Sequence, residues 1–122
     1  MAEYLMVMVG GSIGALCRFI VSSLIKKIAS TEFPLATLLI NVVGSFLMGL
    51  LIAIHPGNFN QLLLGTGFMG GFTTFSTFEM ENITLFEKKE YTKLGLYIVS
   101  SALLCIVFAI LGLQIGHLFL TN

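Results

Sequence analysis

The stretch Phe72-Thr73-Thr74-Phe75-Ser76-Thr77-Phe78 alternates hydroxyl groups with aromatic rings and carries no charge. Phe75 and Phe78 stand three residues apart, so a helix would put both rings on one face. That spacing also suits core or lipid-facing rings. A ring has a positive edge. Ring edges beside hydroxyl and amide donors suit a small anion without a full charge to trap it. Conduction needs binding strong enough to admit an ion and weak enough to release it. Asn41 offers the amide, with Thr37 one turn before it and Ser45 one turn after, a polar stripe on one helix face. An amide at membrane depth needs partners. Asn41 reads either as an interhelical hydrogen bond or as an N–H donor lining an ion path. Arg18 is the only cation within an apolar run. It either snorkels to an interface or draws anions into a vestibule. Glu79 and Glu81 follow the aromatic stretch. They mark the end of the embedded segment, or Glu81 is a mobile carboxylate at a pore mouth. His55 and His117 fall at the ends of apolar runs. No metal-ligand spacing, nucleophile–base pair or phosphate loop is present, so the chain does not read as an enzyme.

These residues need elements to hold them, and composition says which kind. The chain has 122 residues, 57% hydrophobic and 10% charged, whereas a soluble domain carries about 25% charged residues. So short a chain cannot hide that much apolar surface in one water-soluble core; lipid removes the conflict. Net charge is zero, which gives no field for nucleic acid. Cys17 and Cys105 both lie in apolar runs and read as packing residues. The first run lacks a basic leader and a cleavage site, so it is expected to be a span and not a signal. A single transmembrane domain over 1–122 is expected, all-α, with four transmembrane helices at about 4–27, 34–55, 60–88 and 91–120. The turn between the second and third falls at His55-Pro56-Gly57-Asn58.

The third segment is the odd one. Gly70-Gly71 followed by hydroxyl and aromatic residues makes a poor helix interior. Irregular backbone at bilayer depth survives only when buried in protein or lining a wet cavity. A break is therefore expected near 70–74, aiming free backbone groups at an ion. Small residues recur at four-residue spacing in Gly10/Gly14, Ser45/Gly49, Gly67/Gly71 and Gly112/Gly116. They permit close helix approach, within one chain or between chains.

Three motifs together resemble the Fluc/CrcB family of fluoride channels: Gly10-Gly11-Ser12-Ile13-Gly14-Ala15 with Arg18, Asn41-Val42-Val43-Gly44, and Gly70-Gly71-Phe72-Thr73-Thr74-Phe75-Ser76-Thr77-Phe78. The third is highly specific, and the resemblance covers essentially the whole chain. It implies an antiparallel dimer of four-helix subunits with two pores in the plasma membrane of a prokaryote. The function implied is passive export of fluoride that enters as HF and ionises inside. By position, Asn41 matches the pore asparagine, and Phe75 and Phe78 match the rings that face the anion. Ser76 and Thr77 fall on the hydroxyl track, with Thr37 and Ser101 as additions to it. Glu81 matches the acidic residue after the aromatic stretch, and Tyr97 a fourth-helix aromatic. The resemblance also implies a structural Na⁺ at the dimer centre, held by the backbone carbonyls of Gly70 and Thr73.

Two other readings are open. A small proton-coupled multidrug transporter also has four short helices, but it needs a carboxylate inside the first span, and this span offers Arg18 and no acid after Glu3. A non-transporting scaffold subunit would explain the small-residue spacing but not the hydroxyl and aromatic track. With four spans, one side of the membrane holds Lys26, Lys27, Lys88, Lys89 and Lys93, and the other holds no Lys or Arg. That asymmetry favours the lysine side being cytoplasmic, with both termini outward. The second subunit is then either an oppositely oriented paralogue or an inverted copy of this chain.

Overall fold

The computed structural model describes residues 1–29, 33–54, 57 and 60–121, and every element within them is helical. The elements are α1 (Ala2–Ile28), α2 (Leu35–Ile54), α3 (Gln61–Met69), α4 (Gly70–Phe72), α5 (Ser76–Glu87) and α6 (Tyr91–Thr121). His55, Pro56 and Asn58 of the expected turn, and Thr31 and Glu32 of the first loop, lie outside the described residues. Among the described residues three stretches are long and apolar enough to cross a bilayer: α1, α2 and Tyr91–Leu120 of α6. Leu16, Phe19, Leu103 and Ile106 all point outward. Water would not tolerate so much exposed hydrocarbon, whereas lipid is its natural solvent. The chain is a multi-pass membrane protein.

α2 is the central helix. Of its most apolar stretch, 39% is buried, against 11% in α1 and in α6. It contributes to both buried clusters, one formed by Leu38, Val42, Leu85 and Tyr97, the other by Ile40, Met69 and Phe72. The small residues are spent inside the chain. A methyl on Gly49 would overlap the Ala109 carbonyl, and one on Gly112 the Phe46 carbonyl, so α2 and α6 meet backbone to backbone. Gly14 likewise seats α1 against the Phe68 carbonyl of α3. Cys17 packs by the second cluster and Cys105 by the first, and both are free thiols.

The segment after α2 departs from one regular helix. α3 has the wide turns of a π-helix, and α4 continues it for three residues. Thr73 then turns extended, at φ −80° and ψ 160°, and helix resumes at Ser76. α5 ends in a Schellman turn. The Glu90 N–H bonds the Leu85 carbonyl at 2.9 Å and the Lys89 N–H bonds the Phe86 carbonyl at 3.1 Å. Lys89 takes the left-handed conformation, φ 60°, that this turn demands, at a cost of about 1 kcal/mol relative to glycine.

Candidate functional site

The extended Thr73 turns Thr74 out of the helix ladder and presents its N–H and C=O sideways to α2. Asn41 is the side chain that fits both. Its Nδ2 donates to the Thr74 carbonyl at 2.9 Å, and the Thr74 N–H donates to its Oδ1 at 3.0 Å. The interhelical role left open by the sequence is therefore occupied. An amide has two N–H donors; the second is left for whatever occupies the adjoining groove. Ser45 bonds the Asn41 carbonyl at 2.8 Å, so the polar stripe on α2 is tied along its own helix.

Thr74 is the hub of the arrangement, and the sequence reading gave it no role of its own. It is 8% exposed. Its Oγ1 accepts the Thr77 N–H at 3.1 Å, as an N-cap hydroxyl does at a helix start. The same hydroxyl donates to Thr77 Oγ1 at 3.1 Å and lies 3.4 Å from Ser76 Oγ. The recoverable signal is a threonine three residues ahead of Thr77 where helix restarts. These diversions have a second effect. In an unbroken helix the Thr74 N–H would bond the Gly70 carbonyl, and the Thr77 N–H the Thr73 carbonyl. Both N–H groups bond elsewhere, so the carbonyls of Gly70 and Thr73 lose their helical donors.

A groove of about 830 Å³ opens between α2, the α3–α5 segment and α6, and Gly70, Thr73, Asn41, Phe75, Phe78 and Ser101 are among its lining residues. The wall is mostly apolar and, among the described residues, holds no ionisable group except the Cys105 thiol. Phe75 is 70% exposed within it. Its ring lies 5.8 Å from that of Phe78, inclined by 34°. Phe78 in turn lies 5.0 Å from the Tyr97 ring. Ser101 is buried, and its Oγ has no hydrogen-bond partner. An orphaned buried hydroxyl costs about 1–3 kcal/mol, and this one sits just behind the groove wall that Ser101 helps to line.

Other residues singled out from sequence fall outside the groove. Thr37 is buried one turn before Asn41 and does not line it. Ser76 and Thr77 are exposed and engage Thr74. Tyr97 is wholly buried and donates its hydroxyl to Glu81 Oε1 at 3.0 Å. Glu81 lines a second, smaller cavity instead. Arg18 is half-buried on α1 and lines neither cavity, so the structure does not bring it together with Glu81. Among the described residues no cluster of His, Cys, Asp and Glu could hold a metal. The metal-suited groups are the released carbonyls.

The family model described as CrcB-like protein, Camphor Resistance (CrcB), matches residues 5–113. The chain is 50% identical to fluoride-specific ion channel FluC 2 of Bacillus cereus over 95% of this chain and 98% of that one. It is 42% identical to fluoride-specific ion channel FluC 1 of Listeria monocytogenes, with the same coverage. Against fluoride-specific ion channel FluC of a Hydrogenobaculum species the identity is 45%, again over 95% and 98%.

Proposed function

The chain belongs to the CrcB family, and from that premise we infer that it is a fluoride-selective ion channel of a prokaryotic membrane, passing fluoride passively out of the cytoplasm. The observation that carries this reading is the groove wall. Asn41, with one amide N–H to spare, Ser101 and the rings of Phe75 and Phe78 line one space, and among the described residues its wall holds no lysine or arginine. A dehydrated fluoride would meet donors and positive ring edges, and no cation to hold it fast.

We read 61–72 and 76–87 as two halves of a further membrane crossing, broken at Thr73. The bonding supports this: irregular backbone needs protein partners or a wet cavity, and here Asn41 supplies the partners while the groove supplies the cavity. The whole chain is then one transmembrane domain of four crossings. A second subunit would cover the exposed Phe75, and a two-fold axis beside the break makes an antiparallel dimer with two pores. The carbonyls of Gly70 and Thr73 fit a structural Na⁺, being hard oxygen donors freed at a helix break. Two from each subunit would hold it. When bound, the ion would supply positive charge that fastens the two broken helices together.

Fluoride release from vesicles loaded with fluoride, read with a fluoride electrode, tests the function. We expect release that requires an ionophore to dissipate the charge, and no comparable chloride release. Absence of release, or equal release of chloride, would sink the reading.

A further inference from the structure

The smaller cavity, about 260 Å³, lies where the end of α1, the start of α2 and α5 meet. Lys26 and Lys88 stand on its wall together with Glu81 and Thr84. Neither lysine has an ion-pair partner among the described residues, whereas Lys93 lies 3.5 Å from Glu90. Glu87 and Lys89 flank Lys88 in sequence and do not line the cavity. Among the described residues the wall therefore carries two ammonium groups against one carboxylate, and Glu81 Oε1 is already engaged by the Tyr97 hydroxyl.

The cavity shares no lining residue with the groove but is linked to it through three side chains. Glu81 bonds Tyr97, Tyr97 packs on Phe78, and Phe78 lines the groove. One hydrogen bond and one ring contact thus span the distance between the two spaces. We propose that Lys26 and Lys88 form an anion-collecting mouth at the Glu81 end of the conduction path. The proposal rests on the channel reading and adds to it a site and two residues that the pore motifs do not include.

Its chemistry differs from that of the groove. Both lysines are exposed and hydrated, so they attract an anion without stripping its water. The Thr84 hydroxyl bonds the Met80 carbonyl at 3.0 Å and is not aimed at an incoming ion. The mouth therefore recognises charge alone. It raises the local concentration of small anions and leaves discrimination to the rings and donors beyond Tyr97. A cleft lined by one sign of charge can raise encounter rates about 10-fold or more, an effect that salt screens away. The screening length is about 30 Å at 0.01 M ionic strength and about 3 Å at 1 M.

The test is fluoride flux by the full-length chain in phosphatidylcholine vesicles, whose surface has no net charge. Fluoride is kept low enough that flux rises linearly with it, and ionic strength is set with an impermeant sodium salt. Lys26→Gln with Lys88→Gln is expected to slow flux about 3- to 10-fold near 0.01 M and to leave it nearly unchanged near 1 M, where the mouth is screened. Lys26→Arg with Lys88→Arg should match the unmodified chain at both, because charge is what collects. Lys89→Gln, off the cavity, should slow low-salt flux less than Lys88→Gln alone and leave flux at about 1 M unchanged. Equal flux for the glutamine pair and the unmodified chain at low salt would overturn the mouth, as would an equal loss at both salts, the mark of a structural lesion. An unmodified chain that moves no fluoride would instead overturn the channel reading beneath it.

Discussion

Asn41 and Thr74, thirty-three residues apart, exchange two hydrogen bonds of 2.9 and 3.0 Å. The amide thereby does for one residue what a neighbouring strand would do. It satisfies a donor and an acceptor that the extended Thr73 removes from the helix ladder.

Replacing Asn41 separates its two halves. Asn41→Ala leaves the Thr74 N–H and C=O without their partner, a loss of about 1–3 kcal/mol, and removes an N–H from the groove. Asn41→Asp keeps an acceptor for the Thr74 N–H, but turns an oxygen on the Thr74 carbonyl and puts negative charge beside the anion path. We expect Asn41→Asp to assemble as a dimer and conduct no fluoride, checked by size-exclusion chromatography beside the vesicle assay. Full flux from it would remove Asn41 from the pore.

Phe78 touches both the exposed Phe75 and the buried Tyr97. Phe78→Ile keeps an apolar side chain of fair size and loses the ring edge. Aromatic pairs are worth about 0.5–1.5 kcal/mol beyond area, so unfolding should shift modestly while fluoride flux falls to background. Flux within about 2-fold of the unmodified chain would show that ring edges are not what the anion meets.

Ser101 gives the opposite balance of stability and activity. Its hydroxyl is buried without a partner, so Ser101→Ala removes an unsatisfied group and should leave thermal stability unchanged or slightly raised. Flux should nonetheless drop several-fold, because a free donor beside the groove has gone. Chemical and thermal unfolding alongside flux decides it: a variant that loses stability and flux together would mean the hydroxyl is structural.

The sequence disclosed the parts of this molecule that depend on composition and short spacing. Apolar runs long enough to span are legible because lipid demands an unbroken stretch, and α1, α2 and α6 obey that demand. The small-residue pairs were legible as close contacts but not as to partner; Gly14 with Phe68 and Gly49 with Ala109 place those contacts within one chain. Long-range pairing was hidden. Nothing local to Asn41 names Thr74, and nothing local to Tyr97 says that its hydroxyl serves Glu81 and not the groove. The wide turns of α3 were hidden too, since apolar residues without a polar face carry no period to read.

The released carbonyls make Na⁺ dependence testable without measuring transport. A ligand that binds only the folded state raises its stability by mass action, by about 2.7 kcal/mol at a hundred times its dissociation constant. The purified protein should therefore melt a few degrees higher in sodium than in N-methylglucamine. Asn41→Ala removes the bonds that hold the break in place and with it the placement of the two carbonyls, so that difference should shrink. Asn41→Asp, which still accepts that N–H, should retain more of it. Identical melting in both cations for the unmodified chain would rule out the sodium site.

Orientation follows from where the lysines lie. With four crossings, Lys26, Lys27, Lys88, Lys89 and Lys93 share one side, and the opposite side has no Lys or Arg. Short loops rich in lysine stay cytoplasmic, so both termini should face outward. A chain that inserted equally both ways would have nearly balanced loops. An antiparallel dimer, as proposed, would then need an inverted partner, either a paralogue of opposite lysine bias or a minority of inverted copies rescued by assembly. The two can be told apart in cells. Paired reporters on the C-terminus, one active only outside the membrane and one only inside, should give signal from the outer reporter alone. Moving the five lysines to the other side by substitution and insertion should reverse that pattern. Comparable signal from both reporters on the unmodified chain would mean that the charge bias does not set its topology, and that one chain supplies both halves of the dimer.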